Sequence, residues 1–326
     1  MINETMAMGA MFFANGGMNT NYPTMTFGDQ SSPGTGVNLE QMFFGVTYSI
    51  KISEQHAFGV TPLFAFQRFA AKGLAAFAPF SSDGASLTGN RLSTSTGFGA
   101  RIGYQGQLLP QLSIGASYQL KTKMGEFEEY KGLFAEAGGF DIPAAWNAGI
   151  AVIPFDDFTF AADIQQILYS GVKSIANEID PMALPPAFLN PGGDPMNPMD
   201  YTPNANHVPL GAEAGSGFGW KDVTVFKFGF MYEGVKEWAF MAGFSIGTNP
   251  IEESEVMFNI LAPGVIKTHI TAGISKEFAN NHEVTVAFMY APASSVSGAN
   301  RFEAPNQQTI ELEMNQFQIE VGYAFH

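Results

Sequence analysis

Cysteine is absent from the 326 residues, and charged side chains are scarce. Without cysteine the chain has no disulfide, no thiolate nucleophile and no cysteine-ligated zinc or iron–sulfur site. Charged residues make up only 14%, against about 25% in ordinary soluble domains, whereas hydrophobic residues stand at a normal 46%. The mean hydropathy of +0.04 is too low for a bundle of membrane helices. We therefore expect something other than water to cover much of the outer surface.

Basic residues and long apolar runs are also few. With 15 Lys and Arg against 30 Asp and Glu, the net charge is −15, which disfavours a nucleic-acid partner because phosphates repel it. No run of about 18 apolar residues exists, so the sequence contains no transmembrane helix. Residues 1–15 lack the basic and uninterrupted apolar parts of a signal peptide, which leaves open a mature, a truncated or a cytoplasmic chain.

What the chain has instead is an alternation of apolar and polar residues with a period of two. Residues 39–52 set the pattern, with Met42, Phe44 and Val46 on one side and glycine, threonine and serine on the other. About eleven segments follow it, and residues 6–12 make a twelfth, so each strand has one apolar and one polar face. Aromatic residues recur near the strand ends, which is typical of interfacial girdles in membrane barrels.

The connections between these segments alternate between short and long. Short turns lie near 53–56, 108–111, 155–157, 233–237 and 279–281. Long loops are predicted over about 14–38, 70–93, 124–143, 170–219, 248–263 and 293–308. Tight turns at one end and long loops at the other indicate an outer-membrane barrel, whereas a soluble sandwich predicts no such alternation. The sequence thus predicts an all-β, antiparallel transmembrane β-barrel of about 12 strands, with residues 1–326 forming one domain.

Seven stretches, in order along the chain, carry a family likeness. They are FANGGMNTNY (13–22), FQRF (66–69), YKGLFAE (130–136), GFGWKDVT (217–224), GTNPI (247–251), NILAPGV (259–265) and VGYAF (321–325). As a set they resemble FadL-type outer-membrane transporters of long-chain fatty acids and related hydrophobic compounds. The resemblance implies a barrel of fourteen strands with an N-terminal hatch. Residues 1–13 match the family's third strand, so we expect the hatch and the first two strands to be absent from this sequence.

The resemblance also implies a function and a path. A hydrophobic ligand is caught in an extracellular groove, moves to a deeper pocket and leaves sideways through an inward kink of the third strand, which Asn15, Gly16 and Gly17 match. An ordinary loop start is the alternative interpretation of these three residues. The implied protein is a monomeric, passive channel of the Gram-negative outer membrane, in contact with its lipid and lipopolysaccharide. Its ligand is a long-chain fatty acid or another hydrophobic small molecule.

Apolar residues in two long loops are candidates for the groove. Phe127, Tyr130, Leu133 and Phe134 recur at helical spacing, which predicts a short amphipathic helix over the barrel mouth. The full candidate set is Phe127, Tyr130, Leu133, Phe134, Phe140, Leu184 and Phe188. Exposed apolar clusters are costly unless they bind a ligand or pack on each other. Mutual packing that simply closes the barrel is therefore the alternative.

Charged residues on the lumen face form the second candidate group. They are Arg101, Lys121, Asp163, Lys227, Lys267, His269 and Glu283. Charges in a confined lumen need partners, so ion pairing along the wall is expected. The alternative is that Arg101 or Lys227 holds a fatty-acid carboxylate. The five histidines are scattered, and no metal site or cofactor is predicted.

One motif suggests an enzyme. The segment GFSIG at 243–247 matches a nucleophile elbow around Ser245, and His269 shares its face on the next strand. This motif has meaning only on a turn between a strand and a helix, whereas here it lies inside a predicted strand, which favours a chance match. We predict no catalytic activity. An outer-membrane lipid hydrolase and a structural or adhesive barrel remain as competing hypotheses.

Overall fold

The computed structural model describes residues 3–279, 281–303 and 307–325, and these ranges are mainly β-strand. The strands are β1 (Met6–Tyr22), β2 (Thr35–Lys51), β3 (His56–Lys72), β4 (Ser93–Leu109), β5 (Leu112–Gln119), β6 (Lys123–Met124), β7 (Ala144–Phe155), β8 (Phe158–Leu168), β9 (Ala187–Leu189), β10 (Tyr201–Pro203), β11 (Val223–Val235), β12 (Trp238–Gly247), β13 (Thr268–Phe278), β14 (His282–Ala299) and β15 (Thr309–Phe325). Twelve of them pair in chain order as one antiparallel sheet, while β6 pairs with β4 and β9 with β10. The predicted all-β, antiparallel fold of about 12 strands is confirmed.

The helices within the described ranges are short and lie in the loops. They are α1 (Ala135–Gly138), α2 (Lys173–Ala176) and α3 (Val256–Asn259), with 3-10 turns at Ala75–Phe80, Gly84–Ser86, Glu128–Tyr130, Tyr169–Gly171, Pro198–Asp200 and Glu253–Glu255. None of the helices in the described residues has the length and apolar character needed to cross a membrane.

The amphipathic helix predicted over residues 127–134 is wrong. Only a single 3-10 turn forms there, at Glu128–Tyr130, and α1 begins after Phe134. Gly132 explains the interruption: a side chain at this position would meet Ser81 and the backbone of Asp83. The segment follows the surface of the preceding loop, so tertiary packing overrides the helical spacing.

The strand register separates an apolar outer face from an inner face. Phe12, Phe44, Phe64 and Phe98 lie side by side across β1–β4, and all four are exposed. Their chain neighbours on the other face are mostly small, polar or buried, as Phe43 is. An exposed row of phenylalanines on a regular sheet is what a lipid-facing barrel wall requires. The alternation predicted from the sequence is therefore present in the structure.

Two of the predicted loops are shorter than the sequence suggests. Residues 14–22 and 35–38 of the loop predicted at 14–38 belong to β1 and β2, and residues 293–299 of the loop predicted at 293–308 belong to β14. Residues 304–306 of that second loop lie outside the described ranges. Toward the loops, the outer face of the strands carries polar pairs such as Glu40 with Arg68. Hydrophobic alternation therefore does not identify these residues as strand.

The largest apolar core lies among the long loops. Loops 73–92, 120–143, 169–222 and 248–267 meet at the end of the sheet where β3 finishes, and they bury apolar side chains around Phe69. We call this cluster the loop core. Its buried members are Val37, Leu39, Phe69, Ala71, Leu74, Leu87, Phe127, Tyr130, Phe134, Phe140, Val172, Ile175, Leu184, Leu210, Phe218, Leu261 and Ala262.

Candidate functional site

Phe69 organises the aromatic part of the loop core. Its ring lies 4.9 Å from that of Tyr130 at 86° and 4.8 Å from that of Phe134 at 62°, both edge-to-face contacts. The ring of Phe127 lies 5.5 Å away. Such pairs add about 0.5–1.5 kcal/mol each beyond the burial of their area. Three residues of the candidate groove are thus held in place by one side chain of the barrel wall.

This packing differs from the open groove expected from the sequence. Phe127, Tyr130 and Leu184 are buried, so the surface they were expected to offer is covered by their own neighbours. They pack on each other in the loop core, and their assignment to a ligand groove stays a prediction. Phe188 differs, because it lies in β9 and is 37% exposed.

A narrow apolar gap remains inside the loop core. Its volume is only about 30 Å³, and Leu133 and Phe134 line it together with Phe77 and Phe258. Ser174 also lines it, and the hydroxyl of this buried residue has no hydrogen-bond partner among the described residues. The gap is too small for a hydrophobic ligand unless the loops separate.

Below the loop core, a larger cavity of about 510 Å³ lies against the inner face of the sheet. Asn15, Gly16 and Gly17 of β1 form one side of it, and Phe140 and Trp220 come from two different loops. The other lining residues are Met18, Leu39, Gln41, Arg101, Ser117, Gln119, Ile142, Pro143, Ala145, Trp146, Asn147, Gln165, Ile167, Tyr169, Ile175 and Phe218. The structure therefore brings the predicted kink, one predicted groove residue and one predicted lumen cation together.

The kink residues lie inside β1 rather than at a loop start. The pairing of β1 with β2 shifts between Ala14 and Gly16, so Asn15 is an extra residue in a β-bulge. Gly16 has a φ of +109°, which L-residues rarely adopt. A Cβ on Gly17 would stand 2.6 Å from the carbonyl oxygen of Leu39. Two glycines are needed here for two different reasons, backbone conformation and close approach.

Arg101 carries the cationic charge that lines this cavity. Its Nη2 donates a hydrogen bond to Gln119 Oε1 at 2.7 Å, and its guanidinium lies 5.6 Å from the ring centroid of Phe13. Within the described residues no carboxylate lies within 4.0 Å of it. The ion pairing expected for Arg101 is therefore wrong, and its charge faces the cavity with donors to spare.

The other predicted lumen residues lie on a different part of the wall. Asp163, Lys227, Ser245 and His269 follow one another in register across β8, β11, β12 and β13. In the part of the chain that the structure describes, Asp163 and Lys227 form no ion pair within 4.0 Å, so the expected pairing is wrong here too. Lys121 does pair, at 3.2 Å from Asp141.

The enzyme-like motif lacks the geometry of a nucleophile elbow. Ser245 lies inside β12, which continues to Gly247 with no turn into a helix. Ser245 Oγ and His269 Nδ1 are 3.4 Å apart, a long contact between opposite residues of neighbouring strands. No group of three or more histidine, aspartate or glutamate residues in the described ranges is arranged to hold a metal ion.

Polar contacts hold Phe218 and Trp220 over the cavity, a role that sequence reasoning missed. Trp220 Nε1 donates to Asn259 Oδ1 at 2.6 Å, and Asn259 Nδ2 donates to the carbonyl oxygen of Phe218 at 2.7 Å. In the sequence, only the GFGW stretch pointed to these residues. By itself it is a weak motif, and it was informative only as one of several family-like stretches in order along the chain. Asn259 thereby fixes one loop to another above the cavity.

A buried carboxylate joins the same two loops. Glu255 is 2% exposed, and its Oε2 accepts a hydrogen bond from the backbone N–H of Ile179 at 2.9 Å. Its Oε1 accepts one from the hydroxyl of Ser254 at 3.0 Å. Burial raises the pKa of Glu255 above its ordinary value, because the charged form loses hydration.

Comparison with known proteins adds independent information. A sequence model of the family described as "Outer membrane protein transport protein (OMPP1/FadL/TodX)" matches residues 1–323. A search of curated protein sequences found no match.

Solved structures share the fold. The toluene transporter TodX of Pseudomonas putida superposes with a TM-score of 0.63 at 16% identity, over 98% of this chain and 79% of that one. A FadL homologue of Pseudomonas aeruginosa gives 0.64 at 12% identity, over 99% and 76%. The toluene transporter TbuX of Ralstonia pickettii gives 0.57 at 17% identity, over 99% and 79%. The fold is that of an antiparallel outer-membrane β-barrel.

Proposed function

Because this chain belongs to the OMPP1/FadL/TodX family of outer membrane transport proteins, we propose that it is a passive channel of the bacterial outer membrane for long-chain fatty acids or other hydrophobic compounds. The ligand is captured among the long loops, passes into the cavity of about 510 Å³ and leaves sideways at the β1 bulge. The protein acts as a monomer among outer-membrane lipid and lipopolysaccharide, and without catalysis.

One observation carries this proposal: the cavity, the bulge and the loop core share residues. Phe140 belongs to the loop core and also lines the cavity, while Asn15, Gly16 and Gly17 form the wall of the cavity at the bulge. The volume lies within the range of about 300–1,000 Å³ that is common for ligand sites. Because Gly16 and Gly17 have no side chains, they do not obstruct the lateral exit that we propose at the bulge.

The chemistry of the cavity favours a ligand with an anionic head. Its lining is apolar at Met18, Phe140 and Trp220, and Arg101 adds one cation without a carboxylate partner among the described residues. A guanidinium binds a carboxylate through two parallel hydrogen bonds. Two structural neighbours are named as toluene transporters, so neutral aromatic hydrocarbons are the competing ligand class. Arg101 supports the fatty acid.

Capture at the loops requires the narrow gap to widen. Leu133, Phe134, Phe77 and Phe258 are contributed by three different loops, so separation of the loops enlarges the gap without unfolding the sheet. We assign the first contact to this gap and to the exposed Phe188. Phe127, Tyr130 and Leu184 belong to the loop core that surrounds this gap.

Uptake of labelled oleate by cells with and without the gene tests the proposal. We expect uptake to depend on the gene and Arg101→Gln to reduce oleate uptake by about tenfold to a hundredfold, because a charge-assisted hydrogen bond contributes roughly 1.5–3 kcal/mol. Toluene uptake should be unaffected by this variant. Lys227→Gln, which removes a lumen cation elsewhere on the wall, is the matched control. Equal oleate uptake with and without the gene would refute the proposal.

The competing hypotheses predict different results. A structural or adhesive barrel predicts that no fatty acid is extracted with the purified protein, which mass spectrometry decides. A lipid hydrolase predicts an esterase activity that disappears in Ser245→Ala. We expect this variant to transport oleate at the wild-type rate, because Ser245 lies within a regular strand.

A further inference from the structure

Three amide side chains form a continuous hydrogen-bonded row across the inner wall, which we call the amide row. Asn15 Nδ2 donates to Gln41 Oε1 at 3.3 Å, and Gln41 Nε2 donates to Gln67 Oε1 at 2.9 Å. Gln67 Nε2 then donates to two acceptors, Ser95 Oγ and the carbonyl oxygen of Phe140, each at 3.0 Å. The row links the β1 bulge to a loop residue through β2 and β3.

The strand register explains why the row begins at the bulge. Gly16 lies opposite Gln41, Gln41 opposite Gln67, and Gln67 opposite Ser95. The bulge leaves Asn15 without an opposite residue on β2, so its link to the wall on this side runs through its side chain. Backbone pairing therefore restrains this one residue of β1 less than its neighbours.

The two glutamines of the row are buried and Asn15 is half-buried, which makes the bonds of the glutamines interdependent. Gln67 is 0% exposed and Gln41 is 9% exposed. A buried amide without a hydrogen-bond partner is costly, so the loss of one bond favours rearrangement of the neighbouring amide in the row. The row contains no ionised side chain, and its strength does not depend on pH near neutrality.

The far end of the row meets both the loops and the cavity. The ring of Phe140 packs 4.8 Å from that of Phe134 in the loop core, and Phe140 also lines the cavity beside Asn15. A molecule that fills the cavity contacts both ends of the row. Movement of the Phe140 backbone removes one of the two acceptors of Gln67 Nε2.

We propose that the amide row is a positioning device that holds the β1 bulge against the wall while Phe140 is in place, and frees it when a ligand displaces Phe140. This inference rests on the proposed function, because the displacing molecule is the transported compound. Gln67 is the positioning residue at the branch of the row. The row thereby links occupancy of the cavity to opening of the wall.

The first test needs no ligand. Gln67→Met keeps a side chain of similar length and removes every hydrogen bond that Gln67 makes in the row. Measured by hydrogen–deuterium exchange, amides in residues 13–19 should exchange about tenfold faster, because the row no longer restrains the bulge. Amides of β13, far along the sheet, should exchange at the wild-type rate.

Thr61→Val is the matched control. Thr61 lies on the same face of β3, is buried, and shares a hydrogen bond of 2.8 Å with Thr47 outside the amide row. We expect no change in residues 13–19 for this variant. If Gln67→Met does not assemble, Gln41→Met breaks the row one strand nearer the bulge and takes its place.

The second test measures ligand kinetics. Trp146 and Trp220 line the cavity, so binding of 9,10-dibromostearate quenches their fluorescence. In Gln67→Met we expect association to become about tenfold faster and the Kd to fall, because the ligand no longer has to break the hydrogen bonds of Gln67 when it displaces Phe140.

Two results would overturn the inference. One is equal exchange of residues 13–19 in Gln67→Met and Thr61→Val. The other is a Kd that rises in Gln67→Met at an unchanged association rate, which would make Gln67 a ligand contact. A wild-type protein that shows no quenching refutes the fatty-acid proposal instead, and the exchange comparison still decides whether the row positions the bulge.

Discussion

Gly17 shows how one missing side chain determines the shape of the wall. A methyl group there would stand 2.6 Å from the carbonyl oxygen of Leu39, closer than van der Waals contact allows. We expect Gly17→Ala to lower the free energy of unfolding by about 1–3 kcal/mol, the usual range for overpacking. The matched control is Gly9→Ala in the same strand, where nothing lies within 4 Å of the added methyl. Urea unfolding in detergent micelles gives both values, and equal losses would contradict this account.

The buried carboxylate of Glu255 should make the stability of the protein depend on pH. Burial raises its folded-state pKa above the ordinary value of 4.5, so the folded protein binds this proton more tightly than the unfolded chain. Its contribution to stability therefore falls as pH rises from 4.5 through the folded pKa. Glu255→Gln should stabilise the protein at pH values above this window, and the gain should vanish toward the lower end.

Urea midpoints of the wild type and Glu255→Gln between about pH 4 and pH 8 provide the measurement, since subtraction cancels the other titrating groups. Glutamine retains an oxygen for the N–H of Ile179, so the contact between the loops survives. A variant that is less stable than the wild type at the alkaline end would show that the charged carboxylate holds the loops together.

Among the elements, α1 is the one with an unusual backbone. Glu136 and Ala137 have φ values of 59° and 56°, in the left-handed region, and Gly138 follows at 96°. The N–H of Ala137 donates to the carbonyl oxygen of Gly211 at 2.9 Å, and that of Glu136 to Ala212 at 3.2 Å. Docking against the neighbouring loop imposes this turn, although left-handed conformations cost about 1–2 kcal/mol per L-residue.

Ala137→Gly should therefore stabilise the loop. We expect a gain of about 0.5–1 kcal/mol, which is the relieved strain less the added entropy of glycine in the unfolded chain. Ala135→Gly, at a buried residue without positive φ, should destabilise by about 1 kcal/mol instead. Thermal unfolding of the two variants tests the sign, and a loss in both would exclude strain at Ala137.

The elements also show how far the sequence can be interpreted. Alternation identified the lipid-facing strands because a membrane wall imposes one apolar face. It failed at the loop end of β2 and β3, where Glu40 and Arg68 form an ion pair on the outer face. The bulge at Asn15 was predictable only through the family likeness. The burial of Phe127 and Tyr130 was not, because it depends on contacts with Phe69 from a distant strand.

At the scale of the whole molecule, adjacent residues of one strand face different media. Phe228 is exposed on the outer face of β11, and Lys227 beside it faces the lumen. We expect Phe228→Arg to destabilise the protein by roughly 2–4 kcal/mol if this residue lies at the bilayer midplane, whereas Lys227→Gln should have little effect. Urea unfolding in lipid vesicles measures both. Equal tolerance of the two changes would reject the assignment of the faces.

The strands of the wall have unequal lengths, which affects the path that a ligand can take through the barrel. β1 to β4 contain 17 residues each, β14 and β15 contain 18 and 17, and β11 to β13 contain 10 to 13. At about 3.3 Å per residue, one side of the rim rises roughly 15–20 Å farther along the strands than the other. A molecule arriving from solution reaches the loops most directly over the low side. The bulge lies in the tall side, so the route that we propose crosses the lumen from the low rim to the longer strands of the wall.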